Sequence, residues 1–156
     1  MPTPVSFGVI IACLAVLLLG NVSPALALWP LESGMFYPWQ VVTYSFLHAN
    51  FSHLFFNMFA VWMFGTQLEQ AWGTNRFSVF YMTCVIGAAL IQIAVQLLEG
   101  GIYPTIGASG GVFGLLLAYG VTWPRNKIFL LFLPVPIEAR WFVLIYGAFE
   151  LLFGVT

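Results

Sequence analysis

A chain of 156 residues that is 62% hydrophobic and only 6% charged, with a mean hydropathy of +0.99, lies far from the soluble norm of roughly 45–50% apolar and about 25% charged. This composition predicts an integral membrane protein, whose length then limits the number of spans at about 20 apolar residues each. With a net charge of −1 and no basic run, no nucleic-acid partner is expected; two cysteines, Cys13 and Cys84, inside apolar runs give no disulfide framework and no zinc-ligand spacing, so neither metal nor cofactor is expected.

Apolar segments follow in order over residues 5–28, 52–67, 77–98, 109–123 and 141–155. They predict an all-α, polytopic membrane helix bundle of about five transmembrane helices, forming one domain over residues 1–156. The first segment contains Ala25-Leu26-Ala27, which looks like a signal-peptidase site, but no Lys or Arg precedes the apolar run, so a retained span is expected. The sequons Asn21-Val22-Ser23 and Asn50-Phe51-Ser52 abut helices and are read as chance. Residues 128–136 are apolar, short and proline-ended, and are expected to form an interfacial loop.

Charge sets the orientation. A cytoplasmic N-terminus puts Arg76, Arg125, Lys127 and Arg140, every Lys and Arg in the chain, in cytoplasmic loops. Glu32 and Glu99 then fall in the opposite loops, which is the positive-inside pattern. Alternation brings the start of the second span, with His48 and His53, to the same outer side as the start of the fourth, with Ser109.

The fourth segment is short. From Ser109 to Trp123 a helix rises roughly 22 Å, less than the hydrocarbon thickness of about 30 Å. Ser109 should therefore start its helix below the outer surface, and "PTIGASG" should dip into an enclosed cavity, because irregular backbone at that depth needs protein or water around it. A helix N-terminus offers unpaired N–H groups and partial positive charge, which suits a developing anion. A serine there can attack a carbonyl while nearby donors hold the oxyanion. Ser109 could equally be a plain N-cap, and Gly110, Gly114 and Ala118 plain small-residue packing. The stretch "HANFSHLFFN" adds His48, His53 and Asn57 at the outer end of the second span, with His53 and Asn57 four apart on one helix face. Such polar groups in a span usually face a cavity.

With "YPWQVVTYSFLHANFSHLFFNM", "FGTQLEQAWGTNRF" and "GASGGVFG" in this order, the chain resembles a rhomboid intramembrane serine protease over almost its whole length. The resemblance implies Ser109 of G-x-S-G as nucleophile, with His53 and Asn57 helping to hold the oxyanion. It implies a more structural part for His48, close packing of the nucleophile loop for Gly107, Gly110 and Gly114, and polar ties between the second and third spans for Glu69 and Arg76. Trp39 matches the first residue of the family's Trp-Arg pair in the first loop; here the pair reads Trp39-Gln40. The implied activity is cleavage of transmembrane protein substrates in the lipid bilayer near its outer face. The expected location is a bacterial inner membrane with the N-terminus cytoplasmic.

The family supplies its base histidine from a sixth span, whereas the two histidines here are His48 and His53. The base is therefore expected from a sixth helix truncated from these 156 residues or carried on another polypeptide, since the place of His53 in the motif suits oxyanion donation. Without that helix, negligible protease activity, loose packing near the fourth span and an unpartnered Gly110/Gly114 face are expected. Two other functions fit the composition: a non-catalytic rhomboid relative that binds transmembrane helices, and a small channel or transporter lined by the His/Asn/Ser cluster. The intact serine and oxyanion donors favour the protease, and no paired half-repeats favour a transporter.

Overall fold

The computed structural model describes residues 3–19, 24–129 and 134–153, with side chains to residue 148. Helix α1, Pro4–Leu18, opens with a proline at its first position, where the missing N–H is not needed. It is shorter than the predicted 5–28 span. Pro24 cannot continue a helical ladder, and by Leu28 the chain is extended and pairs with Thr105. Residues 21–23, the first sequon, lie outside the described residues. After a short α2, Gln40–Thr43, Asn50 caps α3, Phe51–Ala60, its side chain accepting from His53 N at 2.8 Å. The second sequon's Asn50 thus has a local structural use.

Helix α3 runs through a π-helical turn, Val61–Gly65, into α4, Thr66–Trp72. The rod passes the predicted end at residue 67 because Glu69 and Gln70 end the apolar run without ending the helix. Helix α5, Thr74–Glu99, is long and apolar enough to cross a membrane by itself, while α1 and α6, Ser109–Thr122, are shorter apolar helices. The predicted interfacial loop, of which residues 130–133 lie outside the described residues, is bordered by two short strands: β1, Lys127–Ile128, pairs antiparallel with β2, Ile137–Glu138. The hairpin leads into α7, Ala139–Phe153. Apart from it the fold is all-α, as expected.

The tightest packing is between α5 and α6. A Cβ added to Gly110 would strike Ala88, one on Gly114 would strike Cys84, and one on Gly111 would come within 2.7 Å of the Tyr81 ring. The glycine face expected to lack a partner is therefore covered by the third span. Pairing Gly110 with Ala88 and Gly114 with Cys84 makes the helices antiparallel and puts Ser109 level with about residue 89. Helix α5 continues from there to Glu99, so Ser109 starts roughly 15 Å short of that end. On its other side α6 meets α7, where Val143 lies 2.9 Å from a Cβ built on Gly120. Phe142 of α7 packs on Phe64 of the π turn, ring centroids 5.8 Å apart.

Glu69 is buried and serves a different junction from the one expected. Its carboxylate accepts from Val5 N (3.0 Å), Ser6 N (2.9 Å) and Ser6 Oγ (2.7 Å) at the start of α1. It also accepts from Thr74 Oγ1 at 3.2 Å, so the tie to the third span exists but is the longest of the four. The physical reason is the α1 N-terminus, whose unpaired amides and partial positive charge are the strongest attraction for a carboxylate in this region. Arg76, expected to tie the same spans, is exposed and makes no ion pair among the described residues.

The α5–α6 contact carries a direct test. Gly114→Ala should destabilise the protein by about 1–3 kcal/mol through overpacking. Gly114→Ala combined with Cys84→Gly should be more stable than the sum of the two single effects. A double-mutant cycle read by unfolding in detergent measures that coupling; strict additivity would contradict the contact.

Candidate active site

The segment before α6 is held from several sides. Leu28 and Thr105 exchange backbone hydrogen bonds of 3.0 and 2.8 Å, and Gln96 Nε2 donates to Tyr103 O at 2.8 Å. Gly107 N donates to Tyr44 O at 2.9 Å, while the buried Tyr44 hydroxyl donates to Val85 O of α5 at 2.6 Å. Tyr44 thus fastens the loop and its supporting helix at once. Gly107 has φ +119°, a backbone state that side-chain-bearing residues rarely adopt. A Cβ there would press on the His53 ring, coming within 3.0 Å of Cε1 and 3.1 Å of Nε2.

The next amide, Ala108 N–H, donates to Nε2 of the buried His48 at 3.4 Å. An accepting Nε2 requires the neutral imidazole with its proton on Nδ1. The His48 and His53 rings meet edge to face, centroids 5.0 Å apart. The Asn50 cap fixes the His53 backbone, and Asn57 is buried one turn further along α3.

Ser109 is the first residue of α6 and is half-buried; Ala108, not Ser109, holds the capping position. The helical ladder begins with Val112 N to Ala108 O at 3.0 Å, so the amides of Ser109, Gly110 and Gly111 precede it. A hydroxyl and helix N-terminal amides therefore lie together at the end of a clamped loop, an arrangement able to stabilise negative charge on a reacting oxygen.

Of the residues singled out by sequence, the structure gathers His48, His53, Gly107 and Ser109 around this loop, with Asn57 below on the same helix. Gly110 and Gly114 face α5. Glu69 and Arg76 lie toward the opposite end of the bundle, and Trp39 stands in the first loop, stacked on Tyr37 with centroids 4.6 Å apart. The Trp39-Gln40 pair still orders that loop. Trp39 Nε1 donates to Ala25 O at 2.9 Å, and fully buried Gln40 donates to Ala25 O and Met35 O at 3.2 and 3.0 Å. Gln40 Oε1 accepts from Trp29 N at 3.3 Å.

Tyr44 and Gly111 were not singled out by sequence. A phenol inside an apolar stretch was the available signal for Tyr44, since a buried hydroxyl usually finds a partner. Gly111 was screened by Gly110 beside it, which fitted the small-xxx-small spacing that Gly111 does not.

The rhomboid domain family model matches residues 36–156, which include His48, His53, Asn57, Gly107 and Ser109. The chain belongs to the rhomboid family. Rhomboid family proteins are integral membrane proteins. Among curated relatives, Rhomboid protein 1, mitochondrial, of Saccharomyces cerevisiae is 36% identical over 99 residues, covering 62% of this chain and 29% of the relative. Rhomboid protease GluP of Bacillus subtilis is 35% identical over 94 residues, covering 59% of this chain and 17% of the relative. Putative rhomboid protease YdcA of Bacillus subtilis is 37% identical over 82 residues, covering 52% and 39%. The chain spans well under half the length of these relatives, and they include both mitochondrial and bacterial proteins.

Gly107 offers a test of the clamped loop. Gly107→Ala should cost about 1–3 kcal/mol of stability from backbone strain and push the His53 ring aside. The imidazole NMR signals of His53, and of His48 in edge contact with it, should both move. Unchanged histidine signals in that variant would refute the ring's placement over Gly107.

Proposed function

We propose that this rhomboid chain carries the core of an intramembrane serine endopeptidase that cleaves transmembrane segments of membrane proteins near the outer face of the bilayer. The observation that carries this reading is Ser109 at the first turn of α6, directly after a loop clamped against His48 and His53. Ser109 Oγ attacks the scissile carbonyl. The negative charge that develops on the carbonyl oxygen is met by His53 and Asn57 from α3, aided by the partial positive charge at the start of α6.

The serine must lose its proton to a base. His48 is unsuited, because its Nε2 lone pair already accepts the Ala108 amide. His53, packed on Gly107, suits donation to the oxyanion. The proposed base is a histidine outside these 156 residues, on a further span packed near Ser109. Water reaches the serine from the outer end, since α6 starts well below the end of α5.

The decisive experiment compares the 156-residue chain with a version carrying a His-bearing sixth span, each given a model transmembrane substrate in proteoliposomes. Cleavage should require the added span and disappear in Ser109→Ala. Asn57→Ala should lower kcat by about 10²- to 10³-fold with little change in KM, as expected for a donor acting in the transition state. Activity of the bare chain that needs both Ser109 and His53 would instead make His53 the base. Substrate binding without cleavage in the extended chain would favour a non-catalytic role in holding transmembrane helices.

We further propose a bacterial inner membrane as the location and, on the strength of the loop charges alone, a cytoplasmic N-terminus. A cysteine introduced at Glu32 should then react with impermeant maleimide added from outside intact cells, and one at Arg125 only after permeabilisation. The reverse pattern would invert the site's location.

A further inference from the structure

Arg76 is left over by everything above. It stands in the first turn of α5, exposed, and no carboxylate lies within ion-pair distance of it among the described residues. The sequence has five acidic residues, and the four whose side chains are described stand elsewhere. Glu69 is held by the start of α1, and Glu138 pairs with Lys127 and Arg140. Glu32 lies in the first loop, Glu99 ends α5 at the opposite side of the bundle, and Glu150 is about three turns along α7. Among the described residues the Arg76 guanidinium thus has no carboxylate partner and stands open to one from outside them.

The surface next to Arg76 narrows the choice. A shallow, open groove along α5 is lined by Asn75, Arg76, Val79, Phe80 and Thr83, and its surface is almost wholly apolar. Val79 is 69% exposed. The Thr83 hydroxyl donates to Val79 O at 2.6 Å, which satisfies its polarity within the helix and turns the rest of the side chain to a nonpolar use. The Phe80 ring is braced edge-on by Trp72, centroids 5.2 Å apart, giving the groove a firm wall. From Arg76 to Thr83 the helix rises roughly 10 Å. A guanidinium above such a stripe complements a molecule with an anionic head and an apolar tail, and the α5–α6 register places it at the membrane end that also carries Arg125, Lys127 and Arg140.

We propose that this groove seats one anionic phospholipid from the leaflet facing the Lys- and Arg-bearing loops, its phosphate on Arg76 and Asn75 and an acyl chain along Val79, Phe80 and Thr83. The planar guanidinium suits a phosphate, with which it can form two parallel hydrogen bonds.

The test is native mass spectrometry of the 156-residue chain released from detergent during titration with dioleoyl phosphatidylglycerol, with dioleoyl phosphatidylcholine as the zwitterionic control. One phosphatidylglycerol should be retained per chain, and Arg76→Gln should weaken its retention about fivefold, the size expected for one basic residue at an anionic lipid surface. Val79→Trp fills the groove while keeping the charge and should weaken retention at least as much. Arg125→Gln, which removes a second exposed charge away from the groove, should leave retention unchanged. An equal loss with Arg125→Gln, equal retention of phosphatidylcholine, or competition by millimolar inorganic phosphate would overturn the proposal. So would a chain dimer dispersed by Val79→Trp, which would assign the groove to a second copy. Thermal unfolding of each variant in the same detergent separates lost binding from lost folding, and Arg76→Lys, which keeps the charge, should retain the lipid better than Arg76→Gln.

Discussion

The backbone of α6 lies almost directly on α5, and the remainder of the bundle is arranged around that contact. Within a bilayer no hydrophobic force draws helices together, so association depends on close van der Waals packing and on polar ties. Gly110, Gly111 and Gly114 remove the side chains that would otherwise hold α6 away from Ala88, Tyr81 and Cys84. The register set by this contact places the start of α6 well inside the span of α5. The loop that reaches this inset start must descend into the protein, and its amides need partners there. Thr105, Gly107 and Ala108 find them in Leu28, Tyr44 and His48. The depth of Ser109 is thus a consequence of helix packing before it is a matter of chemistry.

Polar ties complete what packing begins. Burying the Glu69 carboxylate costs free energy, which is offset by several donors and by the positive end of α1. Gln40 does the same for the first loop with a neutral amide, joining Ala25, Trp29 and Met35. The guanidinium that the family resemblance leads one to expect in place of Gln40 could donate but could not accept from Trp29 N. A carboxamide can do both, and the loop is built around that capacity. Tyr44 joins α5 to the loop before Ser109 through one hydroxyl and one carbonyl.

The helices were legible because their signal is local: apolar runs, a serine at the start of a short span, and His53 and Asn57 one turn apart. Their ends were less so. The first span stops ten residues early, and the third begins three residues sooner than hydropathy suggests, because caps and prolines, not apolarity, decide helix ends. Partners distant in sequence were the least legible. Three of the four donors to Glu69 lie 63 or 64 residues away, on Val5 and Ser6, and nothing near Glu69 names them. The glycines of α6 announced close packing, but not that α5 was the neighbour. Tyr44 sits in a stretch whose histidines drew the attention, although its two ties hold the loop those histidines touch.

The placement of His53 bears on how labour is divided at the proposed site. Its backbone amide is fixed by Asn50, its ring lies on Gly107, and the edge of His48 closes another side. A general base in acyl transfer takes a proton from the nucleophile and later gives it to the leaving group. An oxyanion donor has only to point, from the outset, at the place where charge will develop, so that no reorganisation is needed at the moment of reaction. A partly buried ring braced on these sides meets the second requirement better than the first. Gly107 is what lets the ring lie this close, since a Cβ there would come within 3.0 Å of its Cε1. The glycine two residues before the serine therefore matters through the histidine it admits, and the proposed oxyanion site is shaped from the loop of one helix and the cap of another.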